Sequence, residues 1–185
     1  NDIKDCLETR YGAYIGQRLD SLRLDRIEQI LETQSAILKS EAYTTDDSLL
    51  HVRVTQRKPV VRFQNGTEGF YADAEGHIFP LQDNFTSQVP VIDGDIPLTV
   101  GEVQTGEAQR WLRGVTAMLD YMTSTGVWAE IIVQIHVENG GELTMVPRQG
   151  REKFLFGQPY DAEAKFARME EYYRFIKPSR EDNWY

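Results

Sequence analysis

Residues 127–146 have the sequence VWAEIIVQIHVENGGELTMV, which carries the clearest strand pattern in the chain. From Val127 to Val137, apolar side chains recur at every second position, as in a strand with one buried face. Asn139-Gly140-Gly141 accept the positive φ of a tight turn, so a hairpin to a second strand at residues 142–146 is predicted. The pattern places Val127, Ala129, Ile131, Val133, Ile135 and Val137 on the buried face and Trp128, Glu130, Gln134 and His136 on the other.

Two amphipathic helices flank this hairpin in the sequence. The first is predicted from Glu107 to about Thr123, because apolar residues recur there at helical spacing, with Thr105 as N-cap and Gly126 as stop. The second is predicted from Asp161 to Ile176. Its inward side chains are expected to be Phe166, Met169, Tyr173 and Ile176.

Shorter strand patterns lie outside these helices. Residues 70–80 predict two short strands around the turn Asp73-Ala74-Glu75-Gly76, and residues 153–156 predict another. Together with the hairpin, they indicate a mixed β domain with two packed helices over residues 62–185.

Residues 1–61 show a different order of elements. Two helices are predicted, from Asp2 to Tyr11 and from Leu22 to Leu31, followed by strands over residues 36–44 and 49–56. Arg57 and Pro59 lie in the connector to the next domain, which is predicted to be extended because proline disfavours helical geometry in the preceding residue. The fold class is therefore α+β, with domains at residues 1–61 and 62–185.

The charge of the chain is uneven. Its net charge of −9 falls entirely within residues 63–185, and residues 63–109 contain eight carboxylates and no Lys or Arg. Such a surface repels phosphate backbones, so nucleic acid is not an expected partner. The sequence also contains no run of about eighteen apolar residues that would span a membrane.

The residue pattern indicates no catalytic or metal-binding constellation. His51, His77 and His136 are far apart in the sequence, and the single cysteine, Cys6, excludes a thiolate zinc cluster. No catalytic residues, metal or cofactor are therefore expected. One alternative is an enzyme of unrecognised type, which would need a deep pocket around carboxylates such as Asp73, Glu75 and Asp93.

The order of motifs resembles a known family. Residues 49–60, LLHVRVTQRKPV, are similar to the last strand and exit of a POTRA domain, with Arg57-Lys58-Pro59-Val60 as the exit. Residues 70–81, FYADAEGHIFPL, and 89–94, VPVIDG, resemble the second domain of FtsQ/DivIB cell-division proteins. The resemblance covers nearly the whole chain, and the Gln56-Arg57-Lys58-Pro59 form is similar to the Bacteroidetes branch.

This resemblance implies a mechanical role. FtsQ-like proteins are non-enzymatic scaffolds of the inner membrane that project into the periplasm and recruit FtsB-like and FtsL-like division proteins, by adding a partner strand to a sheet edge. A POTRA domain opens with a strand that has no place before Asn1, and the family continues past Tyr185. We therefore expect a longer protein, with a transmembrane helix before Asn1. The alternative is a POTRA-containing, chaperone-like component of envelope protein transport or assembly.

Aromatic residues near the C-terminus are the predicted partner-binding site. They are Tyr172, Tyr173, Phe175, Trp184 and Tyr185. Only about half of the aromatics on one helix can face inward, and exposed aromatics favour interfaces. The alternative is that these rings complete the domain core.

Changing Trp184 or Tyr185 to Ala, in a chain that continues past Tyr185, tests the two interpretations. Loss of an interface aromatic typically costs ~2 kcal/mol, which should weaken binding to an FtsB-like coiled-coil partner about thirtyfold. Binding and melting temperature are measured together. Reduced stability with unchanged binding would exclude the interface and leave the packing role.

Overall fold

A computed structural model describes residues 2–81, 86–100 and 103–178. The chain divides into two compact units, Asn1–Lys58 and Pro59–Tyr185. A two-stranded sheet forms from the strands of the first unit, and a seven-stranded sheet from those of the second. The predicted α+β class is confirmed, because each unit has its own sheet and its own helices. The POTRA-like assignment of the first unit stays a prediction.

The N-terminal unit packs two helices against one hairpin. Its core consists of Leu7, Ile27, Leu31 and Ile37, all of which are buried. Ile27 and Leu31 lie one turn apart on the same helix, so they meet the same sheet face, as the helical spacing predicts. The elements are α1 Asp2–Arg10, a 3-10 turn Leu19–Ser21, α2 Leu24–Glu32, β1 Ile37–Thr44 and β2 Leu50–Gln56.

The second unit is built on a mixed sheet. In chain order its strands are β3 Pro59–Asn65, β4 Glu68–Asp73, β5 Ile78–Pro80, β6 Val91–Gly94, β7 Ile132–Val137, β8 Leu143–Pro147 and β9 Phe154–Gly157. They lie in the order β5-β4-β3-β6-β7-β8-β9. β6 runs parallel to both of its neighbours, β3 and β7, whereas the other pairs are antiparallel.

Within the described residues of the second unit, the α-helices are α3 Gly106–Thr125, α4 Val127–Ile131 and α5 Ala162–Glu171. α3 and α5 contribute buried side chains to the core beneath the sheet, among them Trp111, Met118 and Phe166. The indole N–H of Trp111 donates to the carbonyl oxygen of Gly141 at 2.7 Å, which ties α3 to the turn between β7 and β8. The packed helices and the hairpin are therefore as predicted.

The first half of the predicted strand Val127–Val137 is wrong, because residues 127–131 form α4. Gly126 adopts a φ of 71°, which ends α3 as predicted, and the chain then makes another helical turn. That turn buries Trp128 against Phe166, with 4.9 Å between ring centroids, and leaves Val127 exposed. The strand begins at Ile132.

A β-bulge changes which side chains of β7 are buried. The pairing register shifts between Ile132 and Gln134. Val133 is therefore exposed, although the uninterrupted alternation placed it on the buried face. Ile135 and Val137 are buried, as predicted, because the alternation resumes after the bulge.

The last helix also differs from its predicted form. It is α-helical to Glu171 and continues as a π-helical segment, Tyr172–Ile176. Phe166 and Met169 are buried as expected, but Ile176 is exposed. A π-helical turn contains more residues than an α-helical one, so the segment rotates Ile176 away from the core.

The predicted connector is divided between the two units. Arg57 belongs to the first: its backbone N–H donates to Ala36 O at 3.0 Å, and its Nε donates to Ser35 O at 3.1 Å. Pro59 begins β3, which lies between β4 and β6. The extended geometry expected around Pro59 is therefore part of a central strand.

Gly94→Ala should destabilise the second unit by about 3 kcal/mol, because it combines an unfavourable backbone conformation with a steric clash. Gly94 has a φ of 110°, and an added Cβ would lie 2.2 Å from Val137 O. Gly140→Ala is the matched control, since Gly140 has a φ of 83° but open space around it. Its expected cost is about 1 kcal/mol. Urea unfolding of both variants measures the difference, and equal losses would contradict the steric argument.

Candidate partner-binding surface

The C-terminal edge of the large sheet is the strand β9. It pairs with β8 on one side, and no strand of the described residues pairs with its other side. Leu155, in the middle of β9, is 86% exposed. An edge strand with an exposed apolar side chain offers both backbone hydrogen-bonding groups and apolar area to another strand.

Aromatic rings connect β9 to the π-helical segment. Phe154 lies edge-on to Tyr172, with 5.4 Å between ring centroids, and lies 5.7 Å from Tyr173. Tyr173 also approaches Trp128 at 6.4 Å. Tyr172 and Tyr173 are consequently half-buried behind the edge strand, where they contribute to packing.

Phe175 is the exposed member of the predicted aromatic set. Its side chain is 64% exposed, and the guanidinium of Arg174 lies over its ring at 5.2 Å. Trp184 and Tyr185 lie outside the described residues. The structure thus brings Tyr172 and Tyr173 together at β9, whereas Phe175 points to solvent two residues further along.

Phe154 and Leu155 belong to this surface but were not predicted for it. The signal that could have found them is the uninterrupted apolar run Phe154-Leu155-Phe156 in a predicted strand. Alternate side chains of a strand point to opposite faces, so such a run must expose one side chain unless both faces are covered.

Cations lie at the start of β9, although residues 63–185 as a whole are acidic. The loop from β8 to β9 contains Arg148, Arg151 and Lys153, and its single carboxylate is Glu152. Glu152 itself is engaged by Lys177, whose Nζ lies 3.0 Å from its Oε1. The loop therefore adds net positive charge beside the edge strand.

A surface groove of about 500 Å³ lies beside the π-helical segment. It is lined by Glu130, Ile131, Arg148, Gln149, Tyr173, Lys177 and Pro178. The hydroxyl of Tyr173 is buried and makes no geometrically acceptable hydrogen bond. Burial, together with the nearby Glu152 carboxylate, raises the pKa of Tyr173 to about 12.

The carboxylates named for an alternative enzymatic site do not converge. Asp73 on β4 pairs with Pro59 of β3, whereas Asp93 on β6 pairs with Gln64, five residues further along β3. Asp73 closes the β4–β5 turn by accepting a hydrogen bond from His77 N at 2.8 Å. Asp93 contacts His136 instead, with 2.8 Å between Oδ1 and Nδ1.

The part of the chain that the structure describes contains no group of three or more His, Cys, Asp or Glu side chains arranged to hold a metal ion. Among the helices described, none combines the length and the apolar character needed to cross a bilayer.

A known protein family matches the second unit. The family model described as FtsQ/DivIB, C-terminal related, matches residues 58–185. The matched range covers the whole second unit, including β9 and the π-helical segment. No curated protein matches the chain.

Tyr173→Phe should leave the free energy of unfolding at pH 7 unchanged or raise it by up to ~1 kcal/mol, because it removes a buried hydroxyl without a good partner. Tyr71→Phe is the control: the Tyr71 hydroxyl accepts a hydrogen bond from Ser87 N at 3.1 Å, so its loss should cost about 1 kcal/mol.

Tyr173→Phe should also change how the free energy of unfolding depends on pH. Since the pKa of Tyr173 is about 12 in the folded chain, against an ordinary tyrosine value of 10.0, the unfolded chain loses this proton first. Stability from this group is present below pH 10 and falls as the pH rises from about 10 to about 12. Urea unfolding across that range should show a smaller loss for Tyr173→Phe than for the wild type; equal losses would contradict the raised pKa.

Proposed function

The chain belongs to the FtsQ/DivIB C-terminal related family, and from that premise we propose that it is a non-enzymatic scaffold of bacterial cell division. The observation that carries the proposal is the family match over residues 58–185, which spans the complete seven-stranded sheet unit. Its work is to hold other division proteins, namely FtsB-like and FtsL-like partners, in one assembly.

The outer edge of β9 is the proposed docking site. A partner strand added there would form backbone hydrogen bonds with β9, and its side chains would alternate between the two faces of the sheet. On one face they would meet Leu155, and on the other the rings of Phe154 and Tyr172. This arrangement supports strand addition because it combines an edge with apolar side chains on both of its faces.

Phe175 and the basic loop extend the proposed contact beyond the strand. Phe175 offers an aromatic ring of the kind that contributes strongly at interface centres. Arg151 and Lys153 favour a partner segment with carboxylates near the end that lies beside the start of β9. Apolar area would then supply affinity, while charge would set the direction of the added strand.

The rest of the assignment follows the family resemblance. We propose that residues 1–58 form a POTRA-like domain, that the described portion works in the periplasm, and that the protein is held in the inner membrane by a helix before Asn1. The Gln56-Arg57-Lys58-Pro59 motif supports a Bacteroidetes-type member. Depletion of the protein in its own bacterium tests the role, since loss of a division scaffold should give filaments without septa. Normal division on depletion would exclude the proposed function.

Leu155→Asp should weaken binding of the FtsB-like and FtsL-like proteins of the same bacterium at least tenfold. The substitution buries a charge beside the added strand in the complex, and a tenfold loss corresponds to about 1.4 kcal/mol. Because Leu155 is 86% exposed in the free chain, the melting temperature should change little. Calorimetry or surface-immobilised binding measures the affinity.

Val103→Asp is the matched control for this experiment. Val103 is 90% exposed, lies in the same unit and belongs to no strand. The substitution introduces the same charge in place of an apolar side chain of similar exposure. Equal binding by the Leu155 and Val103 variants would exclude the β9 edge while leaving the scaffold role open.

A further inference from the structure

Two carboxylates of α2 accept hydrogen bonds from the backbone of β1. Glu28 Oε1 accepts from Ala42 N at 2.7 Å, and Glu32 Oε1 accepts from Ser40 N at 3.1 Å. Ser40 and Ala42 are two residues apart, so their N–H groups point from the same edge of the strand. Since these N–H groups bond to side chains of α2, that edge is the one turned away from β2.

The spacing of the two elements fits these contacts. Four residues of an α-helix advance about 6 Å, and two residues of a strand advance about 6.8 Å. Glu28 and Glu32 therefore match Ala42 and Ser40 when helix and strand run in opposite directions, as they do here. The buried Ser40 hydroxyl also donates to the carbonyl oxygen of Glu28 at 3.1 Å, which fixes the strand against this turn of the helix.

These contacts change what the β1 edge can bind. A free strand edge presents N–H and C=O groups that pair readily with another strand. Here two successive outward N–H groups are already taken by carboxylates, in charge-assisted hydrogen bonds that are stronger than neutral ones. An incoming strand would have to displace both carboxylates before it could pair.

We propose that Glu28 and Glu32 close the β1 edge against pairing with a second copy of this chain. β1 has eight residues and no proline. Its solvent face carries Lys39 and Glu41 on either side of Ser40, so the strand is self-complementary. An antiparallel pair centred on Ser40 places Lys39 of each copy opposite Glu41 of the other, and opposite charges across strands are stabilising.

In the single chain Lys39 Nζ lies 2.6 Å from Glu41 Oε1, and Arg53 Nη1 lies 3.5 Å from Glu41 Oε2. The self-complementary charges and the closed edge are separate observations. The charges are side chains on one face of β1, whereas the edge consists of backbone N–H groups. This inference concerns the first unit and stands independently of the proposed division role.

The test is the double substitution Glu28→Ala/Glu32→Ala in the full chain. Amide hydrogen exchange at Ser40 and Ala42 should become at least tenfold faster, because their acceptors are gone. Sedimentation velocity should show self-association at least tenfold stronger than that of the wild type. A folded variant with faster exchange and unchanged self-association would overturn the proposal.

Three further variants make the result specific. Asp20→Ala/Asp25→Ala removes two exposed carboxylates that pair with Arg18 and Arg23, and it should change neither readout. Glu28→Gln/Glu32→Gln keeps an oxygen acceptor at each position, so the β1 edge should stay closed in this variant. Adding Ala42→Pro to the open-edge variant removes an outward N–H group and should return self-association to the wild-type level.

Failure of this reversal would also overturn the proposal, because association would then come from another surface. If the double variant does not fold, the single variants Glu28→Ala and Glu32→Ala still test the proposal. Each opens one N–H group and should show faster exchange at its own partner, Ala42 or Ser40. Intermediate self-association is expected, and wild-type association in both folded single variants would contradict edge closure.

Discussion

The second unit depends on the close approach of β6 and β7 at Gly94. β6 has only four residues, yet it lies between β3 and β7 and so joins the two halves of the seven-stranded sheet. An added Cβ at Gly94 would meet the backbone of Val137, so only glycine lets the strands come this close. The register that results places Ile92 beside Ile135, and both are buried in the core under α3. β6 therefore connects the two halves of the sheet over one shared core.

Local patterns predicted the elements that depend on local chemistry. α3 has a long apolar stripe and ends at Gly126, and the β7–β8 turn contains two glycines with positive φ, so both were predictable. α4 was missed because the apolar alternation continues through residues 127–131, while burial of Trp128 against a distant ring decides the conformation. β6 was missed because four residues are too few to show a period. The π-helical segment was not predicted either, because the apolar spacing of a short segment does not distinguish a π-helical turn from an α-helical one.

The candidate surfaces were also predictable from the sequence only in part. Clustered aromatics pointed to the region of Tyr172 and Phe175, and the structure places that region beside an edge strand. The edge itself could not be predicted, because strand order in a mixed sheet depends on contacts between residues far apart in the sequence. Glu28 and Glu32 gave no signal, since two carboxylates four residues apart are usual on a solvated helix face. Their role appears only when the helix is placed against Ser40 and Ala42.

The position of β3 has a mechanical consequence. Its first residue, Pro59, follows directly on Lys58, the last residue of the first unit, so a tension carried through the peptide chain enters the second unit at this strand. β3 is held on both sides, by β4 over most of its length and by β6 at three residue pairs. A pull along the strand loads these hydrogen bonds in shear, so they share the force instead of opening one after another. The second unit is therefore connected to the preceding chain through a strand that is hydrogen-bonded on both sides.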